Sequence, residues 1–215
     1  MTTLRVSEES GRRGPPSRQS AELRDRLRLI ALDLFERKGF DSATADDIAA
    51  VAGISRRTFF RYFLTKEDAI FSDQPGYLNL LNTGLEFGMG EPIIVAGHAL
   101  TLILDGLLSD SDYVRRRDAI VRATPALADR EVVWWGEYQH ALGHYLSKSG
   151  SGARELMFAQ IVAAAILAAF RQVITQWLRS DQAEDPKALF GELVDDIADS
   201  MTVSGPRGTG PAPPS

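Results

Sequence analysis

Leu23, Leu27, Ile30, Ala31, Leu34 and Phe35 recur at the three-to-four interval that lines one face of a helix. The interval returns in segment after segment as far as Met201. No stretch alternates polar and apolar residues as a half-buried strand would, and no repeat of fixed period is present. The spacing therefore predicts an all-α fold.

Capping residues, glycines and prolines divide the helices. Ser20 is placed to cap the first and Gly39 to end it. Thr44 with Asp47 three residues on has the form of a capping box, and Ile48, Ala49 and Val51 supply that helix's apolar side. Gly53 stops it. Ser55 then caps a short helix running to Phe63, and Thr65 with Asp68 opens a fourth, which Pro75 and Gly76 should kink or interrupt. After a break at Gly88, Gly90 and Pro92, longer helices are expected over 93–108, 112–123, 127–147, about 153–180 and 186–202.

Four segments follow: a flexible basic arm over 1–19, a three-helix domain over 20–66, a larger helical domain over 67–203, and a disordered Gly/Pro tail over 204–215. The tail's Gly205, Gly208 and Gly210 follow no strand and so form no nucleotide loop. No secretory signal opens the sequence, and the apolar run Met157–Phe170 falls short of the ~18–20 residues that span a bilayer. A cytoplasmic protein without a membrane partner is expected. With no cysteine, disulfides, thiol catalysis and cysteine-ligated metal are excluded.

The net charge of −5 argues against nucleic acid until it is divided. Through Phe63 there are 12 Lys+Arg against 9 Asp+Glu, a net +3; from Leu64 onward, 12 against 20, a net −8. The basic part carries two short helices joined at Ala52–Gly53–Ile54, the arrangement of a helix-turn-helix whose second helix enters the major groove. Arg56, Arg57 and Arg61 offer phosphate or guanine contacts there, Thr58 and Tyr62 neutral hydrogen bonds, and Phe59 and Phe63 face inward.

Ala31, Phe35, Gly39-Phe40, Thr44, Asp47-Ile48-Ala49, Ala52-Gly53-Ile54-Ser55, Thr58-Phe59-Phe60-Arg61-Tyr62-Phe63 and Lys66-Glu67 form a set. Through them the sequence closely resembles the N-terminal domain of the TetR/AcrR family of one-component transcriptional regulators. The resemblance implies that Thr44 touches DNA phosphate and that Ser55, Arg56, Arg57, Thr58 and Arg61 face the groove. Tyr62 and Lys66 match positions that hold the DNA backbone. Phe60 stands where many members have a phosphate-binding tyrosine, and Leu64 where proline is common.

The resemblance also implies a larger domain that binds a small molecule and dimerises through its last two helices. Residues 153–180 are apolar on more than one face, as a helix buried by its own domain and by a partner would be. Phe158, Ile166, Phe170, Ile174 and Trp177 there, with Phe190, Leu193, Val194 and Ile197 on the final helix, are the expected homodimer residues. Phe87, Met89, Leu102, Trp134 and Trp135 either line a lipophilic cavity, with His98 or Tyr138 as its polar handle, or fill the core; the cavity is the expectation carried forward. His140 and His144 share a helical face with Glu137, but no HExxH accompanies them, so no metal or cofactor is expected. Arg115, Arg116 and Arg117 read as a solvated face.

The expected function is a ligand-responsive repressor, not an enzyme. A homodimer would bind palindromic double-stranded operator DNA and be released by a small, lipophilic effector through a pendulum-like swing of the N-terminal domain. The competing expectation is a ligand carrier with a degenerate DNA-binding module.

Overall fold

Cap chemistry sets the boundaries of the first four helices: α1 (Arg18–Lys38), α2 (Ala45–Ala52), α3 (Arg56–Tyr62) and α4 (Lys66–Ile70). The computed structural model describes residues 18–149, 152–180 and 185–202. The expected arm before Arg18 and the expected tail lie outside the described residues. Ser20 lies within α1 rather than capping it, because the helix already runs from Arg18. Gly39 ends α1 at φ 81°, its amide donating to the Phe35 carbonyl at 3.0 Å. The Thr44 capping box is complete: the Asp47 amide donates to Thr44 Oγ1 at 3.1 Å, and the Thr44 amide to Asp47 Oδ2 at 2.9 Å. Gly53, at φ 70°, reverses the chain after α2 in a left-handed conformation that costs glycine little. Ser55 accepts the Thr58 amide and starts α3, and Thr65 and Asp68 bond reciprocally at the start of α4.

These helices bury one another through Leu27, Ala31, Phe35, Ile48, Ala52, Phe59, Phe63 and Ile70. The rings of Phe35 and Phe40 meet edge-on at 5.1 Å, and those of Phe59 and Phe63 lie 5.5 Å apart. A first compact unit ends at Ile70 and a second begins at Phe71.

The second unit contains α5 (Gln74–Phe87), α6 (Pro92–Ser109), α7 (Ser111–Ala123), α8 (Pro125–Leu146), α9 (Ala153–Arg179) and α10 (Pro186–Thr202), with a 3₁₀ turn at Ser147–Ser149. Pro75, Pro92 and Pro125 each sit in the first turn of a helix, where the missing amide costs nothing. Pro75 thus opens α5 as a separate helix. Helices α5 and α6 pack side by side at Gly84, whose missing Cβ admits Ala99. Helix α10 lies on α6 and α9, with Val194 seated at Gly97 and the Phe170 and Phe190 rings edge-on at 5.3 Å.

Two expectations change here. Helices α6, of 18 residues, and α9, of 27, are long and apolar enough by length and composition to cross a membrane, so α9 exceeds the run the sequence suggested. Each nevertheless buries a face in the core of the unit, through Leu100 and Leu104 or Ile166 and Phe170. The expected dimer residues also divide. Ile166, Phe170, Ile174, Trp177, Phe190 and Val194 are packed into the core of the unit itself. They fall on the single stripe of α9 and α10 that the unit's own core takes first. Phe158 is exposed, Leu193 and Ile197 are half-buried, and Leu156, Met157 and Ile161 continue an open apolar face on α9.

Close approach at Gly84 makes a stability prediction. A Cβ there would lie 2.9 Å from the Ala99 backbone, so Gly84→Ala should cost about 1–3 kcal/mol by forcing α5 and α6 apart. Gly136, in α8 with open space around it, should instead gain up to about 1 kcal/mol as alanine. Urea denaturation of both variants checks the contrast.

Candidate DNA-binding surface and ligand cavity

Helix α3 is divided into two sides. Phe59 and Phe63 are buried, whereas Ser55, Arg56, Arg57 and Arg61 are exposed and Thr58 and Tyr62 half-buried. Arg57, Thr58, Phe60 and Arg61 line an open concave surface. Among the described residues Arg57 makes no ion pair, so its guanidinium is available to an anion. Arg61 lies 5.3 Å from the Tyr62 ring. Arg56 pairs with Asp46 and stacks 5.1 Å from Phe60. A hydrogen bond with Ser20 lowers Tyr62 from its ordinary phenol value. Thr44 is exposed at the start of α2.

Lys66 is placed differently from its neighbours. Its ammonium donates to the carbonyls of Phe40 at 2.6 Å and Ala43 at 3.1 Å and stands 4.1 Å from the Phe40 ring. It thereby fastens the loop that delivers Thr44.

Several positioning residues carry no mark in the sequence. Arg26 of α1 donates to the Ala52 carbonyl at the end of α2, at 2.9 Å. Arg24 reaches the Tyr62 carbonyl at the end of α3, at 3.4 Å, and lies 4.9 Å from the Phe63 ring. Both supply donors to carbonyls that a helix end leaves open. Lys38 bonds Asp47 at 2.8 Å, and that contact, the Thr44 hydroxyl and the Thr44 amide hold the Asp47 carboxyl far below its ordinary range. On an amphipathic helix such charged residues look like solvated ones.

The second unit holds a cavity of about 110 Å³ between its helices. Trp135 and Tyr138 line it, together with Gln74, Tyr77, Arg117, Glu131, Phe170 and Arg171. The other expected cavity residues are not brought to it. Phe87 at the end of α5 and Met89 beyond it are exposed, and His98 and Leu102 lie on the face of α6 opposite its buried Leu100 and Leu104. Trp134, next to Trp135 in the chain, is not part of the cavity's lining. His98 instead borders a smaller cleft between α6 and α10, of about 90 Å³. His140 and His144 are exposed, and among the described residues no three ligating side chains converge.

Arg117 is the centre of the cavity's polar wall. Only 6% of it is exposed, contrary to the solvated face expected of the arginine run. It pairs with Glu131 at 3.2 Å and Asp73 at 3.8 Å. The Gln74 carboxamide oxygen accepts from both its terminal nitrogens at 3.1 and 3.2 Å, while the Gln74 amide donates to the Tyr138 hydroxyl at 2.6 Å. Burial opposes the Arg117 charge, but Asp73 and Glu131 together outweigh it and raise its proton affinity. Burial raises Glu131 and Tyr138 above their ordinary values as well. Arg115 is equally engaged: it donates to the Leu178 and Trp177 carbonyls at 2.9 and 3.1 Å, closing the end of α9. Arg116 pairs with Asp112 at 3.7 Å.

A capped helix pair with its apolar side buried and its arginines open defines a helix-turn-helix DNA-binding protein. Residues 30–70 match the family model described as bacterial regulatory proteins, tetR family. A proposed mycofactocin biosynthesis transcriptional regulator, MftR, of Mycobacterium tuberculosis (strain ATCC 25618 / H37Rv) is 25% identical over 162 residues, 74% of this chain and 82% of that protein. Among solved structures, a proposed TetR-family regulator from Syntrophomonas wolfei superposes at a TM-score of 0.63, with 15% identity over 87% of this chain and 98% of that one. A complex of SmeT with triclosan gives 0.62, with 17% identity over 90% and 99%. Over residues 30–70 the chain therefore carries the DNA-binding domain of the tetR family of bacterial regulatory proteins, and its fold is similar to that of TetR-family regulators.

Two predictions follow from these geometries. The depressed Asp47 carboxyl contributes stability above about pH 4 that is lost as the pH falls through its lowered value. Asp47→Asn should therefore be less stable than the native chain at pH 7, with the difference beginning to narrow in thermal melts only as the pH falls below about 4. Arg117→Ala leaves the half-buried Asp73 and Glu131 without their cation and should cost about 3 kcal/mol in urea denaturation.

Proposed function

We propose that this chain is a ligand-responsive transcriptional repressor that binds palindromic operator DNA as a homodimer and is released by a small effector. The observation that carries the reading is the solvent-facing set Ser55, Arg56, Arg57 and Arg61 on a helix whose other side is buried. Thr44, Thr58 and Tyr62 add neutral contacts, and Lys66 acts by fixing the loop before Thr44. An intact arginine face speaks against a carrier with a degenerate DNA module, and a regulator that works by binding alone needs no catalytic group.

Dimerisation is supported by the apolar face of α9, where Leu156, Met157, Phe158 and Ile161 are 44–66% exposed, with half-buried Leu193 and Ile197 on α10. Two recognition helices must then stand about 34–36 Å apart to read successive turns of a palindrome. An effector that prefers another separation lowers DNA affinity, and DNA lowers effector affinity by the same factor.

Trp135, Tyr138 and Phe170 in the cavity wall support an aromatic or lipophilic effector, as does the triclosan complex of the similar SmeT. At about 110 Å³ the cavity is below the ~300–1,000 Å³ of drug-sized sites, so an effector of that size must widen it. A DNA-binding regulator of bacterial type works in the cytoplasm, where its operator is.

Gel shifts with the DNA upstream of the chain's own reading frame test the proposal. Arg57→Ala should lower operator affinity about tenfold or more while native mass spectrometry still finds the dimer. Unchanged affinity would remove α3 as the recognition helix.

A further inference from the structure

Asp46 stands on the first turn of α2 and Arg56 on the first turn of α3, and the two are joined by an ion pair and hydrogen bond. Their side chains are 57% and 63% exposed, so the pair belongs to the solvent-facing side of the helix pair. Phe60, itself 37% exposed, stacks on the same guanidinium at 5.1 Å. A carboxylate and a ring thus fix a side chain that would otherwise spend rotamer entropy on binding. Yet an aspartate here repels phosphate, so a surface built only to hold DNA backbone would gain by losing it.

We propose that Asp46 is a specificity-determining residue that holds Arg56 in position to read a guanine, and this rests on the DNA-binding function above. A guanidinium has five donors in one plane, and a carboxylate on one edge leaves the others directed away from it. Two acceptors side by side, such as guanine O6 and N7 in the major groove, match those remaining donors. A phosphate in the same place would bring its charge within a few ångström of the Asp46 carboxylate, and like charges at that distance repel. The edge of guanine carries no net charge and meets no such penalty. Among the described residues Arg57 and Arg61 have no acidic partner, and these two suit phosphate. Asp46 therefore divides the arginines of α3 between reading and holding.

Selection from a library of random duplexes tests the assignment with the full chain. The native protein should enrich a motif with at least one strongly preferred guanine. Asp46→Asn leaves the Thr44–Asp47 cap untouched, so its thermal melt should match the native one. It should relax that guanine preference by about fivefold or more, bind random-sequence duplex more tightly, and steepen the salt dependence by about one counterion. Arg56→Lys, which keeps the charge without the fork, should lose the same guanine and keep the rest of the motif. If Asp46→Asn enriches the same motif with the same preference at every position, the assignment is overturned while the DNA-binding function stands. If the native protein enriches no motif, the DNA-binding function fails and takes the assignment with it.

Discussion

Seven residues of helix cannot hold themselves in water, since helices shorter than ~12–15 residues are marginal alone. Helix α3 is of that length, and everything the N-terminal unit does depends on its being held. Ser55 closes its start, Phe59 and Phe63 anchor one side, and Arg24 from α1 reaches its final carbonyl. Arg26 and the Thr44–Asp47–Lys38 cluster fix α2 in the same way. Because apolar anchors and borrowed caps carry the stability of α3, its outer side chains are free to be chosen for what they touch.

The arginines of this chain accordingly have separate occupations. In α1 Arg24 and Arg26 complete the ends of other helices, and in α3 Arg56, Arg57 and Arg61 face outward. In α7 Arg115 closes α9 and Arg117 sits buried among two carboxylates and a carboxamide. Net charge conceals this division. The acidic excess after Phe63 is compatible with DNA binding because Arg56, Arg57 and Arg61 face outward together on one short helix before it.

Helix positions and the helix-turn-helix were legible in the sequence because their determinants are local. A capping box needs residues three apart, and an amphipathic face needs only regular spacing. The cavity and the exposed apolar face were legible only in part, through Trp135, Tyr138 and Phe158, for a physical reason. Helix α9 is apolar nearly all round, so spacing alone could not tell Phe170, which the core takes, from Phe158, which it leaves outside. His98 and Leu102 looked suited to a cavity by type, but their register on α6 puts them opposite its buried stripe. Arg117 was missed because a buried cation is recognisable only by partners on other helices, here Asp73, Gln74 and Glu131.

Hydrogen exchange on the full chain, with and without a duplex from its own upstream DNA, tests most directly whether α3 is what meets DNA. The account predicts slowed exchange at the amides of Thr44 and of residues 55–62 on addition of the duplex. Unchanged exchange there, with slowing only beyond Phe71, would contradict it.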